Sequence, residues 1–238
     1  MTEANPMYDD LLKALEPILP RTVYQDVRRV RTLAWAITGL CLTHTVRLGA
    51  WAQVTQGRAQ YAASRVRRLA RWLHHPAIHP QEWYQPVLQA ALVDWPRTSR
   101  LSIALDTTAL TPFVLICASL VYGHRAIPLA WRAMRHKSTQ VSFEAYRPVL
   151  EQVRAIVPPD LVMTLLADRG FVHEHLFQYL HQQQWHFRLR LPGDTLVHLE
   201  TQPVTAIRDL RPSQSRVARQ NDGHEQGSQH DLEAGDLL

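Results

Sequence analysis

The sequence predicts an α/β protein in which an all-helical N-terminal region precedes a mixed β-sheet. In the first 95 residues, apolar side chains recur at intervals of three and four, glycine is scarce, and proline clusters between segments. This pattern is typical of amphipathic helices. After Arg100, short apolar runs that end at turn residues alternate with helical patterns, in the order β-β-β-α-β-α-β. This order predicts a sheet with helices on its faces.

The N-terminal region contains a pattern that matches a helix-turn-helix. Its predicted helices are residues 7–16, 23–42, 47–54, 58–74 and 80–93. The third and fourth of these surround a break at Gln56-Gly57, and in a helix-turn-helix the second helix contacts DNA. The apolar face of the fourth helix is predicted to consist of Ala62, Val66, Leu69 and Leu73. An ordinary helical hairpin is the alternative interpretation.

Positive charge is concentrated in the first hundred residues. The chain has a net charge of +5; residues 1–100 hold 13 Lys and Arg against 7 Asp and Glu, whereas residues 201–238 hold 4 against 6. A localised basic surface indicates a polyanionic partner, nucleic acid before membrane. A solvated, arginine-rich helix without a ligand is the alternative. The candidate DNA-binding side chains are Arg58, Arg65, Arg67, Arg68 and Arg71.

The sequence carries no pattern typical of export or of a membrane anchor. The segment "MTEANPMYDDLL" has acidic residues where a signal peptide has basic ones, and no window reaches the ~18 uncharged apolar residues of a membrane-spanning helix. Cys41 and Cys117 lie in apolar runs, which predicts two buried free thiols of a reducing compartment. We therefore expect a cytoplasmic protein without a membrane partner.

The sheet is predicted from a series of apolar runs. The first strand, "RLSIALD", is predicted to end at Asp106, and a Gly-His pair predicts a hairpin turn between the second and third strands. The remaining strands are predicted at residues 112–123, 125–134, 161–167 and 186–191, and the helices at residues 142–157 and 173–185. The segment "TLVHLE" is a further candidate strand, and residues 211–238 are predicted to be disordered.

Two carboxylates, Asp106 and Asp168, each follow a strongly apolar strand, "SIAL" and "TLLA". If these strands are parallel neighbours, both side chains lie at the same edge of the sheet. A pair of carboxylates suits Mg²⁺, which binds one or two of them together with substrate phosphate. Two such ions ~3.5–4 Å apart support phosphodiester cleavage. Alternatively, Asp168 caps the helix at residues 173–185 and Asp106 anchors a turn.

Several segments resemble the DDE transposases of bacterial insertion sequences, in particular those of the insertion-sequence-four type. They are "ALDTT", "YGHRAIPLAWRAM", "LLADRGF" and "HFRLRL", while "ASRVRRLARWL" is similar to the DNA-binding region of that family. The resemblance covers roughly residues 20–200. It implies a DNA-binding domain at residues 1–97 and a partial ribonuclease-H-like catalytic domain at residues 98–210. Asp106 and Asp168 would be the first and second catalytic, metal-binding acids, with Mg²⁺ or Mn²⁺ as cofactor.

The same resemblance implies the partners, which are the double-stranded DNA of transposon ends and target, and a second copy of the chain on that DNA. One departure from the family pattern is clear. The third acid of the family is a Glu within a Tyr, Arg, Glu, Lys signature, but no Lys follows Asp168 and no Tyr follows Tyr179. We interpret the chain as a truncated transposase whose third acid is unidentified.

Three functions are therefore open. The first is a transposase that cleaves transposon-end DNA and transfers the strand, incomplete in this chain. The second is a non-catalytic DNA-binding remnant that competes with or inhibits a full-length transposase. The third is a different ribonuclease-H-like nuclease for RNA–DNA hybrids or junctions, against which the long helical N-terminal region argues.

Overall fold

A computed structural model describes residues 5–20, 26–55, 61–198 and 204–210 of the chain. Contacts divide the chain into two units, Met1–Asp94 and Trp95–Leu238. Among the described residues, α-helices and a five-stranded mixed sheet confirm the α/β class. Arg58, the break at Gln56-Gly57 and the predicted disordered tail lie outside the described residues.

Five helices form the described part of the N-terminal unit, and all five were predicted. Two of them begin four residues later than predicted. The second begins after Asp26, because the Asp26 carboxylate caps it by accepting a hydrogen bond from the Arg28 N–H at 3.1 Å. The fourth begins after Tyr61, whose backbone is extended. The helices are α1 (Pro6–Leu15), α2 (Val27–Thr43), α3 (Leu48–Val54), α4 (Ala62–Leu73) and α5 (Pro80–Val93).

The apolar face of α4 differs from the prediction. Leu69 is buried, but Ala62 and Leu73 are exposed, whereas Trp72 packs inward. The Trp72 ring meets the ring of Trp83 on α5 edge to face, with 6.0 Å between their centroids. The prediction was wrong because the neighbouring helices contact α4 from the side of Leu69 and Trp72, which rotates the buried stripe around the helix.

Helices α2 and α3 approach each other closely at Gly39. A Cβ atom at Gly39 would lie 2.8 Å from Cβ of Trp51 and 2.9 Å from its Cγ. The chain between the two helices turns at His44, which has a φ of 51°. The Trp51 indole then donates a hydrogen bond to the Thr45 carbonyl. Glycine is therefore required at position 39, because any side chain there would overlap the Trp51 side chain.

The C-terminal unit contains a sheet with the strand order β3-β2-β1-β4-β5. Strand β2 is antiparallel to both β1 and β3, and β4 runs parallel to both β1 and β5. Gly123 and His124 join β2 to β3 with positive φ at both residues, as a tight two-residue hairpin turn requires. The elements are β1 (Leu101–Leu110), β2 (Phe113–Tyr122), β3 (Arg125–Arg135), α6 (Phe143–Ile156), β4 (Met163–Ala167), α7 (Glu174–Gln182) and β5 (His186–Leu189).

The sequence predicted that β1 ends at Asp106, but this prediction is wrong. The strand continues to Leu110 because its last residues pair with β2, down to the pair of Leu110 with Phe113. Strand β4 stops at Ala167, level with Leu105. Asp106 therefore lies inside β1, at the position where β1 loses its parallel neighbour.

Helices α6 and α7 cover the same face of the sheet. The Arg132 guanidinium donates a hydrogen bond to the Ala145 carbonyl of α6 at 3.0 Å, and Arg132 pairs with the buried Ile116. On α7, the Phe177 ring lies 5.4 Å from the ring of Phe187 on β5. Leucine, isoleucine and valine side chains from the sheet and from both helices are buried between them: Leu101, Ile103, Leu105, Ile116, Leu165, Val149, Leu150, Val153, Leu176 and Leu180.

The remaining elements are short. Of the candidate strand "TLVHLE", residues 195–198 are described, and among these Leu196–Val197 form β6, which pairs with Thr205–Ala206, β7, in a separate two-stranded sheet. Both thiols were predicted to be buried, and this prediction is wrong. Cys41 is exposed because it lies on the outer side of α2, and Cys117 is partly exposed. Within the described residues, no helix is long and apolar enough to cross a membrane.

The close approach at Gly39 makes a prediction for stability. Gly39→Ala should lower the free energy of unfolding by about 1–3 kcal/mol, because the new methyl group overlaps the Trp51 side chain. This loss should exceed the gain in helix propensity of about 1 kcal/mol. Urea unfolding followed by circular dichroism measures it. Gly49→Ala on α3 is the matched control, since a Cβ there meets no atom within 4 Å; equal stability of the two variants would contradict the prediction.

Candidate functional site

The pairing of β1 with β4 brings Asp106 next to Asp168. The last pair of the parallel ladder is Leu105 with Ala167, and each aspartate is the next residue of its chain. Neighbouring strands are about 4.8 Å apart, so the two aspartates lie side by side. The condition that the sequence left open, that the two strands are parallel neighbours, is met.

Both aspartates belong to the sheet face opposite α6 and α7. Side chains alternate along a strand, and Leu105, which precedes Asp106, is buried on the helical face. The backbone of Asp168 is extended, so the alternation continues through it from Ala167. Both aspartates are exposed. The carboxylates are therefore available to a ligand on the face that does not carry these helices.

A tight turn positions the Asp168 carboxylate. Its Oδ1 accepts a hydrogen bond from the Gly170 N–H at 2.9 Å and so caps the 3-10 turn Arg169–Phe171. A Cβ atom at Gly170 would lie only 3.1 Å from that oxygen, so the carboxylate fits because this residue has no side chain. The prediction that Asp168 caps α7 is wrong. His173 caps α7 instead, since its ring nitrogen accepts from the His175 N–H at 3.2 Å.

Tyr146 of α6 supports this turn from inside the unit. Its hydroxyl donates a hydrogen bond of 3.3 Å to the Phe171 carbonyl, and its ring meets the Phe171 ring edge to face at 5.3 Å. The residue is 1% exposed. Burial raises the pKa of Tyr146 to about 12. The turn that carries Asp168 is therefore fixed to the core by both a hydrogen bond and a ring contact.

Two arginines lie on the same sheet face beside the carboxylates. Arg188 pairs with Leu166, and the Arg190 N–H donates to the Ala167 carbonyl at 3.1 Å, which extends the ladder past the end of β5. Both side chains are exposed. They were not predicted as site residues, although the alternation in "HFRLRL" was a signal that both belong to one face of a strand.

The described residues contain no group of three or more His, Cys, Asp or Glu side chains that could hold a metal ion. The candidate metal site thus consists of two carboxylates from this part of the chain. Two carboxylates fit Mg²⁺ or Mn²⁺ when water and substrate phosphate supply the other oxygen ligands, because these ions prefer oxygen.

The arginines of α4 separate into a pair that donates hydrogen bonds within the described part of the unit and an outward pair that does not. Arg65 donates to the Thr55 carbonyl at 2.9 Å, and Arg68 donates to the Thr32 hydroxyl at 3.1 Å. Arg67 and Arg71 are one helical turn apart and exposed, and no hydrogen bond or ion pair holds their side chains within the described residues. Of the arginines predicted to contact DNA, Arg67 and Arg71 are therefore the best placed, while Arg65 and Arg68 bind their own unit.

A scan against protein-family models and a search of curated proteins found no match to this chain.

Burial of Tyr146 makes stability depend on pH. The Tyr146 pKa is about 12 in the folded state and about 10 in the unfolded state. The unfolded chain therefore loses the proton first, and stability falls as pH rises above about 10. Tyr146→Phe should reduce this fall while costing about 1 kcal/mol at neutral pH for the lost hydrogen bond.

Urea unfolding from about pH 8 to about pH 11 measures the effect. Tyr122→Phe, which removes an exposed hydroxyl of the same unit, is the control. An identical alkaline loss of stability in the wild type and in Tyr146→Phe would contradict the prediction.

Proposed function

We propose that this chain is a transposase of the DDE type, which binds transposon-end DNA and catalyses metal-dependent cleavage and strand transfer. One observation carries the proposal: Asp106 and Asp168 emerge side by side on one exposed face, at the end of the parallel ladder that joins β1 to β4. The two carboxylates come from segments far apart in the chain. A shared metal site requires the two carboxylates to be adjacent, whereas two residues that only cap separate turns do not need to be adjacent.

The sheet topology supports a ribonuclease-H-like core. An antiparallel three-stranded meander is followed by two parallel strands, with a helix before each of the parallel strands. This is the element order that the resemblance to transposases implies. Parallel strands place ligand sites at their carboxyl ends, and the two aspartates directly follow the last parallel pair, Leu105 with Ala167.

Asp106 and Asp168 would hold the divalent ion, and Arg190 would attract the phosphate backbone toward it. Bound Mg²⁺ or Mn²⁺ supplies activation of a water molecule and stabilisation of the leaving oxygen. The hydrogen bond from Gly170 occupies Oδ1 of Asp168 and leaves Oδ2 for the ion. Positioning and charge suffice for this chemistry, so the chain needs no nucleophilic side chain.

The cleavage reaction is tested with Asp168→Asn. We expect the wild-type chain with Mn²⁺ or Mg²⁺ to nick a plasmid that carries the DNA flanking its reading frame, and the variant to lose at least about tenfold of this rate. The side-chain oxygen of asparagine still accepts the Gly170 hydrogen bond, so folding should be unchanged. Nicking is followed by gel electrophoresis and folding by thermal unfolding.

Asp194→Asn is the matched control, since Asp194 is an exposed aspartate of the same unit, away from the parallel ladder. Equal nicking by the wild type and by Asp168→Asn would refute the proposed role of the carboxylates. Nicking by neither protein, with DNA binding intact, would favour the second function below.

The second candidate function is a DNA-binding module without catalysis, which competes with or inhibits a full-length transposase. The outward pair Arg67 and Arg71 on α4 favours this function, because DNA binding through these side chains requires only the N-terminal unit. In this module α4 would be the helix that enters the major groove.

Charge reversal tests whether α4 contacts DNA. Arg67→Glu and Arg71→Glu should each weaken binding to double-stranded DNA and reduce the salt slope of the binding constant by about 0.9 for each phosphate that the helix no longer neutralises. Fluorescence anisotropy at several salt concentrations measures both. Arg28→Glu makes the same charge change at an exposed site on α2 and should have less effect. Equal effects of all three variants would remove α4 from the interface.

A further inference from the structure

Strands β1, β2 and β3 project beyond the carboxylates as a three-stranded ribbon. Strand β4 ends level with Leu105, but β1 continues to Leu110 and turns back through Thr111 and Pro112. Leu110 lies four residues past Asp106, a distance of about 13 Å along a strand. The end of the ribbon thus extends along the strand direction past the carboxylates and past the end of β4.

Leu110, Phe113 and Arg135 form the tip of this ribbon, on the same face as Asp106. Asp106 pairs with Cys117, Leu110 pairs with Phe113, and Phe113 pairs with Arg135 of β3. Residues that are paired across strands share a face, and so do residues two and four apart within a strand. The Arg135 guanidinium carbon lies 5.8 Å from the centre of the Phe113 ring.

The tip is exposed and positively charged. Leu110 is 54% exposed and Phe113 is 45% exposed, which leaves two large apolar side chains in water beside a cation. The exposed Lys137 lies two residues beyond Arg135, the last residue of β3, and the exposed Arg190 lies at the other side of the carboxylates. With the carboxylates occupied by a divalent ion, this end of the sheet has a positive excess, which favours nucleic acid over a second, equally basic copy of the chain.

We propose that the tip is a stacking site for an unpaired nucleotide of the DNA strand whose phosphate lies at Asp106 and Asp168. The proposal rests on the proposed function, because the carboxylates define where that phosphate lies. An aromatic ring and a guanidinium can stack on any base, but only on one that is not inside a duplex.

Binding of DNA with and without a single-stranded extension tests the tip. The full chain is titrated, in Ca²⁺ to limit cleavage, against a fluorescent duplex with an extension of about six nucleotides and against the matched blunt duplex. The variants are Phe113→Ala, Phe113→Leu and Phe113→Trp. Phe113→Leu keeps an apolar side chain and removes the ring, so it serves if Phe113→Ala unfolds. Val121→Ala, on the same strand and face but at the opposite end of the sheet, is the control.

We expect the wild type to prefer the extended DNA. Phe113→Ala and Phe113→Leu should each reduce this preference by about fivefold or more, whereas Phe113→Trp should retain it, as should Val121→Ala. Affinity for the blunt duplex should be unchanged in all four variants, because duplex binding does not use the ring.

Two results would overturn the proposal. One is an unchanged preference for extended DNA in Phe113→Leu. The other is a loss of self-association in that variant, measured by light scattering, with DNA binding intact, which would make the tip a protein interface. The test does not depend on cleavage. A loss of nicking in Asp168→Asn, together with no effect of the Phe113 variants, would refute the stacking site but not the catalytic function. A preference for extended DNA that depends on the Phe113 ring, without any nicking by the wild type, would refute the catalytic function but not the stacking site.

Discussion

The parallel ladder between β1 and β4 joins two strands that are separated in the chain by β2, β3 and α6. Its register is set by the buried side chains on its helical face, among them Leu101, Ile103 and Leu165. Burial of each such side chain stabilises the fold by about 1.5–3 kcal/mol. A shift of one residue would turn these side chains out and move Asp168 to the helical face. The core therefore determines where the two carboxylates lie relative to each other.

The remainder of the carboxylate site follows from this ladder. Because β4 ends at Ala167, the chain is free to turn at Gly170, and the Asp168 side chain caps that turn. Tyr146 then connects the turn to α6 through the Phe171 carbonyl. Because β1 does not end where β4 does, the ribbon of β1, β2 and β3 projects beyond the site. The unequal lengths of two neighbouring strands thus create both a turn for one carboxylate and an exposed surface next to the other.

The arginines of α4 have different surroundings, so their number alone does not measure the charge that is available to a ligand. Arg65 and Arg68 donate hydrogen bonds to Thr55 and Thr32, so they join α4 to α3 and α2. The Arg65 guanidinium is partly withdrawn from water and needs such a partner, because its charge cannot be neutralised, whereas Arg68 remains exposed. The outward pair, Arg67 and Arg71, has no such structural task within the described residues. Helix α4 therefore carries arginines of two kinds, which have the same sequence pattern and different surroundings.

The sequence by itself determined the element order, the α/β class and the candidate carboxylates, because apolar periodicity and turn residues act locally. It predicted the five helices that the structure describes in the N-terminal unit. The periodicity did not show where two of them start: α2 begins after its cap Asp26, and α4 begins after the extended backbone of Tyr61. It also predicted the hairpin at Gly123 and His124, where positive φ is a local requirement.

Only the tertiary structure decided which of these residues meet. The end of β1 depended on pairing with β2, which a search for apolar runs misses because the strand continues through the polar residues Asp106, Thr107 and Thr108. The buried face of α4 depended on the direction from which its neighbours approach, so Trp72 replaced Leu73. The adjacency of Asp106 and Asp168 depended on β1 and β4 being parallel neighbours, which long-range burial imposes and no local pattern can specify.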